Sequence, residues 1–195
     1  MKTIIVPVDF SSESIHGLEM AMLFGKKENA NIQMVYVQKN SKDYRPGTYE
    51  EEHKYAEVQF EKLIQKYSKE IASDSKLRFI IKKGKIYQEI IEQAESYKES
   101  IIIASTHGAS GFEEYFIGSN AYKIITGTKT PVLTVRKKPP QSVKKIVAPL
   151  RLHVDTRQKA PAASELANLF GAEIHLISVS VTKNVKDQKR LNAYL

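Results

Sequence analysis

Short apolar runs and amphipathic stretches alternate along residues 2–135. Lys2–Val8 (KTIIVPV) sets Ile4, Ile5 and Val6 side by side and predicts a buried first strand. Pro7 falls near its end, where a missing N–H matters less. Ile15, Leu18, Met22 and Leu23 recur at helical spacing and predict a helix from Ser12 to about Lys27. Asn29–Asn31 turn the chain into a second strand, Ile32–Val37. Residues 38–50 collect turn formers around Arg45-Pro46-Gly47 and predict a loop, either a lid or binding edge or a slack connection. Glu50, Glu51 and Glu52 read as a solvated helix start whose charge suits the dipole. Tyr55, Phe60, Leu63, Ile64, Tyr67 and Ile71 carry the apolar stripe of that long helix. Leu77–Ile81 predicts a third strand, and Gly84 turns the chain into a helix marked by Ile86, Ile90, Ile91 and Ala94. Ile101–Ala104 is apolar without polar alternation, as suits a strand buried on both faces of a parallel sheet. Ala121, Ile124 and Ile125 mark a last helix, and Pro131–Val135 a fifth strand.

Strands alternating with helices imply an α/β fold: a doubly wound five-stranded parallel sheet with helices on both faces. Ligands of such sheets sit outside the carboxyl ends of the strands, where strand order reverses. Asp9 follows strand one and Ser105–Gly108 end strand four. If those strands are neighbours, both groups meet in one cleft.

The chain then starts again. Residues 137–142 (KKPPQS) read as a linker between a domain at 1–136 and a partial second one at 143–195. Lys144–Leu150 (KKIVAPL) aligns with Lys2–Val8, Ala167–Gly171 (ANLFG) with Ala21–Gly25 (AMLFG), and Ile174–Val179 with Ile32–Val37. In this β-α-β copy Arg151 stands where Asp9 stands in the first, and nothing matches the glycine stretch at 108–119. A lone unit of this kind has an exposed sheet edge and a small core. It is expected to pack on the first domain or on a partner chain, or the native chain runs further.

The sequence has 195 residues, 42% of them apolar, and a formal net charge of +8. The lysines are scattered and do not interleave with aromatic residues, so solvated faces account for most of them. A preference for anionic ligands such as nucleotides follows, with no nucleic-acid partner expected. No apolar run approaches the length of a membrane span, and MKTIIVPVDF does not read as a signal peptide. Zero cysteines exclude disulfides, thiol catalysis and cysteine zinc sites. A cytoplasmic setting fits.

The candidate chemistry lies in Ile101–Ser119 (IIIASTHGASGFEEYFIGS). Strand, glycine loop, helix N-terminus is an arrangement that binds anions, because the first N–H groups of a helix are unpaired and the dipole is positive there. The loop is neither a Walker A loop nor GxGxxG. On the plainer reading Gly108 and Gly111 only turn the loop and Ser119 only caps the helix. Asp9 orients ribose or base hydroxyls and amines, acts as a general base, or caps the helix that follows. His107 contacts phosphate, works as an acid–base group, or serves as a structural hydrogen-bond partner. Arg45 and Lys123 are the evident cations for phosphates. Glu113 and Glu114 would repel them unless turned outward. The other histidines, at 16, 53, 153 and 175, show no metal-ligand spacing, and no GxSxG elbow occurs.

Val6-Pro7-Val8-Asp9-Phe10-Ser11, Ser105-Thr106-His107-Gly108, Gly118-Ser119 and Pro131–Val135 together resemble the universal stress protein family over residues 1–136. Residues 143–180 resemble the start of a second such domain, and Asp155–Lys159 a variant helix start found there. The resemblance implies a five-stranded doubly wound fold that commonly forms a homodimer, often through its last strand. Nucleotide-binding members carry Gly-x2-Gly-x9-Gly-Ser/Thr. Gly108-x9-Gly118-Ser119 fits, and Ser105 stands where that motif has its first glycine. By position, the resemblance implies that Pro7, Asp9 and Val37 line the adenosine side of ATP. It puts Gly108, Gly118 and Ser119 at the phosphates, with Mg2+ held mostly by phosphate oxygens and water; Ser105, through its hydroxyl, and His107 are counted with them as nucleotide-binding candidates. Three functions remain open: a stress or signalling module that binds ATP without fast turnover, a ligand-free dimer acting through protein partners, and a slow ATPase. The first is favoured, because a cradle is present but no assembled base, nucleophile or arginine finger.

Overall fold

The computed structural model describes residues 2–39, 47–107, 117–150 and 160–178. The chain divides into two units, Met1–Pro139 and Pro140–Leu195.

The first unit runs β1 (Thr3–Pro7), α1 (Ser12–Glu28), β2 (Asn31–Gln38), α2 (Thr48–Tyr67), a short 3-10 turn (Ser68–Glu70), β3 (Leu77–Lys83), α3 (Ile86–Glu95), β4 (Ser100–Ser105), α4 (Ser119–Gly127) and β5 (Val132–Val135). The strands form one parallel sheet in the order β3-β2-β1-β4-β5. The chain moves outward from β1 through β2 to β3, then returns to the other side of β1. Strand order therefore reverses between β1 and β4, which are hydrogen-bonded neighbours.

Alternation along β1 sorts the helices. Ile5 packs with Val35, Ile102 and Ala104 against Ile90 and Ala94 of α3 and Ile124 of α4. Ile4 faces the other way, where Gly25 of α1 comes so close that a Cβ would lie 3.1 Å from the Ile32 side chain and 3.5 Å from that of Ile4. Phe60 of α2 stacks on Phe79 of β3 at 4.7 Å, and Phe79 is in register with Met34 on the Ile4 side. So α1 and α2 cover one face, α3 and α4 the other. Ile4, Ile5, Val6, Ile102 and Ile103 are fully buried, each worth about 1.5–3 kcal/mol relative to exposure.

Element ends differ from the sequence expectation in two instructive places. α2 begins at Thr48, inside the stretch expected as loop. Gly47 opens it with φ 87, and buried Gln38 at the end of β2 holds its first turns: the Gln38 amide donates to the Tyr49 carbonyl at 3.1 Å, and its oxygen lies 2.9 Å from His53 Nδ1. α2 then ends at Tyr67, so Ile71 lies beyond it in extended backbone.

The second unit contains β6 (Lys145–Leu150), α5 (Ala160–Phe170) and β7 (Glu173–Ser178), with β6 and β7 parallel. Lys145 pairs with Glu173 and Ile146 with Ile174. Thr3 pairs with Asn31 and Ile4 with Ile32, which is the same register when the two copies are aligned. The aligned glycines do different work. Gly25 lies inside α1, which ends four residues later at Asn29 in the left-handed region. Gly171 is itself the left-handed residue that ends α5, with φ 63. Both ends close with the same bond, Ala30 N–H to Gly25 O at 3.1 Å and Ala172 N–H to Ala167 O at 2.9 Å. α1 is thus longer at this end by one turn, and that turn leaves the strand register unchanged. No helix among the described residues is long and apolar enough to cross a membrane.

Candidate functional site

A cavity of about 580 Å³ opens at the carboxyl ends of β1, β2 and β4. Its floor is the top of the apolar core: Val35, Ala104, Ile90 and Ile124 belong both to the core and to the cavity wall. Val37, Ile86 and Ala121 extend that apolar surface. The rim is polar, made by Asp9, Ser14, Lys39, Ser105, Thr106, His107, Ser119 and Asn120. An apolar wall with a polar, hydrogen-bonding mouth suits a heteroaromatic ligand carrying polar substituents.

The expected residues Pro7, Asp9, Val37, Ser105, His107, Gly118 and Ser119 all line this cavity. Gly108 lies outside the described residues, as do Arg45, Glu113 and Glu114. The sheet order brings the rest together, because β1 and β4 are adjacent and the start of α4 is bonded to the end of β4. Thr106 lines the cavity as part of the expected Ser105–Gly108 stretch, whereas Ser14, Lys39 and Asn120 also line it and were not among the expected residues. Their available signal is position: Lys39 directly follows β2, and Asn120 sits in the first turn of α4. Lys123, expected as a phosphate cation, instead lies over the Tyr87 ring at 5.1 Å and does not line the cavity. Among the described residues Lys39 is the cation that lines the cavity.

Asp9 is exposed at the mouth. Its Oδ1 accepts from the Ser11 N–H at 3.1 Å and the Ser11 hydroxyl at 2.5 Å. Ser11, not Asp9, caps α1, its hydroxyl accepting from the Ser14 N–H at 3.2 Å. Asp9 therefore braces the cap and faces the cleft at the same time.

The start of α4 is bare. Gly118 is its N-cap and makes no side-chain cap bond, and no acidic residue lies in the first turn. Ser119 is the first helical residue rather than the cap. The Gly118 N–H donates to the Thr106 carbonyl at 2.8 Å, which pins the helix start to the end of β4. A Cβ at Gly118 would lie 3.1 Å from that carbonyl, so a side chain there would press the helix start away from β4, although its φ of −56 is ordinary. The remaining first-turn N–H groups, left unpaired by helix geometry, attract anions.

Two further contacts shape the anion side. The Ser105 hydroxyl donates to the His107 carbonyl at 2.6 Å, bracing the strand end. His107 Nδ1 lies 2.9 Å from the Thr106 hydroxyl, while Nε2 is buried without a partner among the described residues. Among the described residues no three His, Asp or Glu side chains come together to hold a metal ion.

The family model described as "Universal stress protein family" matches residues 1–136. A curated relative, Universal stress protein MJ0531 from Methanocaldococcus jannaschii, is 27% identical over 150 residues, covering 70% of this chain and 82% of that protein. The solved structure of a universal stress protein from Archaeoglobus fulgidus is 22% identical with a TM-score of 0.75, over 98% of this chain and 71% of that one. A universal stress protein solved in complex with cAMP is 20% identical with a TM-score of 0.53, over 69% of this chain and 97% of that one.

Proposed function

The chain belongs to the universal stress protein family, and on that premise we propose that its cleft binds an adenine nucleotide, as a stress-response or signalling module without fast turnover. One observation carries the reading. An apolar floor, the Asp9 carboxylate and a bare helix N-terminus converge on one cavity of about 580 Å³. The base lies on the apolar wall beside Pro7 and Val37. Asp9 orients hydroxyl or amine groups of the adenosine. Gly118 and Ser119 hold the phosphates with the N–H groups of α4, with His107 beside them in the cavity wall. Gly108 belongs with them by its place in the motif. Ser105, at the position of the first motif glycine, directs its hydroxyl to the His107 carbonyl, so the departure braces the cradle. The relative solved with cAMP makes adenine nucleotides the ligand class to test first.

Mg2+ fits as a companion of ATP: Asp9 is the one carboxylate among the described cavity-lining residues, so phosphate oxygens and water would supply most ligands. The cytoplasm, where adenine nucleotides are at hand, is the compartment this reading assigns. A homodimer belongs to the reading as well, since β5 stands at the sheet edge and can pair with another chain.

Native mass spectrometry of the purified protein, followed by calorimetric titration with ATP and with cAMP in magnesium buffer, tests the proposal. A bound adenine nucleotide in the wild type, lost in Gly118→Val, is the expected result. An empty wild type with no titration heat for either ligand sinks the nucleotide reading and leaves the dimer as the place to seek function.

A further inference from the structure

Phe10 follows Asp9 and has φ 65, in the left-handed region. Among the described residues the one other non-glycine with positive φ is Asn29, a helix C-cap. Asparagine tolerates that conformation, whereas a bulky aromatic residue holds it only where packing enforces it. The packing is present. The Phe10 ring stacks on Tyr36 at 5.2 Å and meets Tyr55 and Phe60 edge-on at 6.0 Å and 5.0 Å. Phe60 is fully buried and stacks on Phe79. Tyr36 is itself held by a hydrogen bond from its hydroxyl to Glu52 of α2. The ring thus sits in the α2 side of the fold, while Pro7, Val8 and Asp9, the residues just before it, line the cleft.

We propose that Phe10 is a positioning residue: its ring, locked among Tyr36, Tyr55 and Phe60, forces the left-handed turn that sets Asp9 at the mouth of the cleft. The inference rests on the nucleotide reading for its consequence, because Asp9 is there the group that orients the adenosine. Two bonds report the turn: Ser11 N–H to Asp9 Oδ1 at 3.1 Å, and Asp9 N–H to the Ser14 hydroxyl at 3.3 Å. If the ring is lost, an alanine backbone can relax to negative φ and both bonds loosen. A glycine occupies the left-handed region without steric cost, so it keeps the turn without the ring.

The test compares wild type, Phe10→Ala, Phe10→Gly, Asp9→Ala and the Asp9→Ala/Phe10→Ala pair. Amide hydrogen exchange at Asp9 and Ser11 is measured on the free protein, and ATP affinity by titration with magnesium. Phe10→Ala is expected to speed exchange at both amides and weaken ATP by about tenfold, the scale of the left-handed penalty. Phe10→Gly is expected to stay nearer the wild type in both. In the Asp9→Ala background Phe10→Ala should weaken binding no further, since its effect runs through the carboxylate. Phe79→Leu, which loosens the same aromatic cluster away from the turn, should lower the melting temperature and leave both readouts in place. Unchanged exchange in folded Phe10→Ala, or an equal affinity loss with and without Asp9, overturns the proposal. If the wild type takes up no adenine nucleotide, the nucleotide reading fails by itself, and the exchange comparison still decides whether Phe10 holds Asp9.

Discussion

At Gly118 a backbone neighbour crowds the space a side chain would enter. A methyl group there would press on the Thr106 carbonyl at 3.1 Å, and that carbonyl is fixed by its bond from the Gly118 N–H. Gly118→Ala is expected to destabilise the fold by about 1–3 kcal/mol, the cost of overpacking, and to weaken nucleotide binding because α4 is displaced from β4. Urea denaturation and titration of the same sample check both. Ser105 gives the opposite pattern. Ser105→Ala removes the 2.6 Å bond to the His107 carbonyl and should cost about 1 kcal/mol of stability. ATP affinity should stay close to wild type if the hydroxyl braces the strand end and does not touch phosphate. A large affinity loss at unchanged stability would mean that Ser105 contacts the ligand. The position of Ser105 in the motif was legible in the sequence. The partner of its hydroxyl was not, because it depends on how the chain turns after β4.

At the scale of elements, α4 combines structure and chemistry in its first turn. With no acidic residue there and no side-chain cap on Gly118, the helix gives up dipole stabilisation that a carboxylate would supply. Asn120→Asp should therefore raise stability by about 0.3–1 kcal/mol. The same charge at the cavity rim should repel phosphate and weaken ATP by roughly tenfold. Thermal melting and titration should move in opposite directions; movement in the same direction would argue that the first turn of α4 is not the anion site. The helix itself was legible from Ala121, Ile124 and Ile125. The place of Asn120 in the cleft was not, since it follows from the start of α4 being bonded to the end of β4.

At the scale of the molecule, we propose that residues 143–178 are the opening β-α-β of a second domain of the same fold, on the strength of the shared strand register. The described part of that unit is thin. Val147, Ile174, Leu176 and Ile177 are between 38% and 57% exposed, and two strands with one helix are too few for independent stability. Residues 1–139 expressed alone are expected to unfold cooperatively and to keep nucleotide binding, whereas residues 140–195 alone should show no cooperative transition. Circular dichroism melts of the two fragments decide it, and a cooperative melt of the shorter one would count against this account.

The sequence by itself determined the order of strands and helices, the parallel α/β class and the glycine stretch, because apolar period and turn residues are local properties read within a few positions. It also carried the family motif at Pro7, Asp9, Gly118 and Ser119. The tertiary structure decided that β1 and β4 are neighbours, that Lys39 and not Lys123 stands at the rim, and that Ser11 and not Asp9 caps α1. It decided too that Phe10 is held left-handed by the rings of Tyr36, Tyr55 and Phe60, which lie well beyond it along the chain. Strand order and cleft lining arise from pairing and packing between distant residues, and no local period encodes which of them will meet.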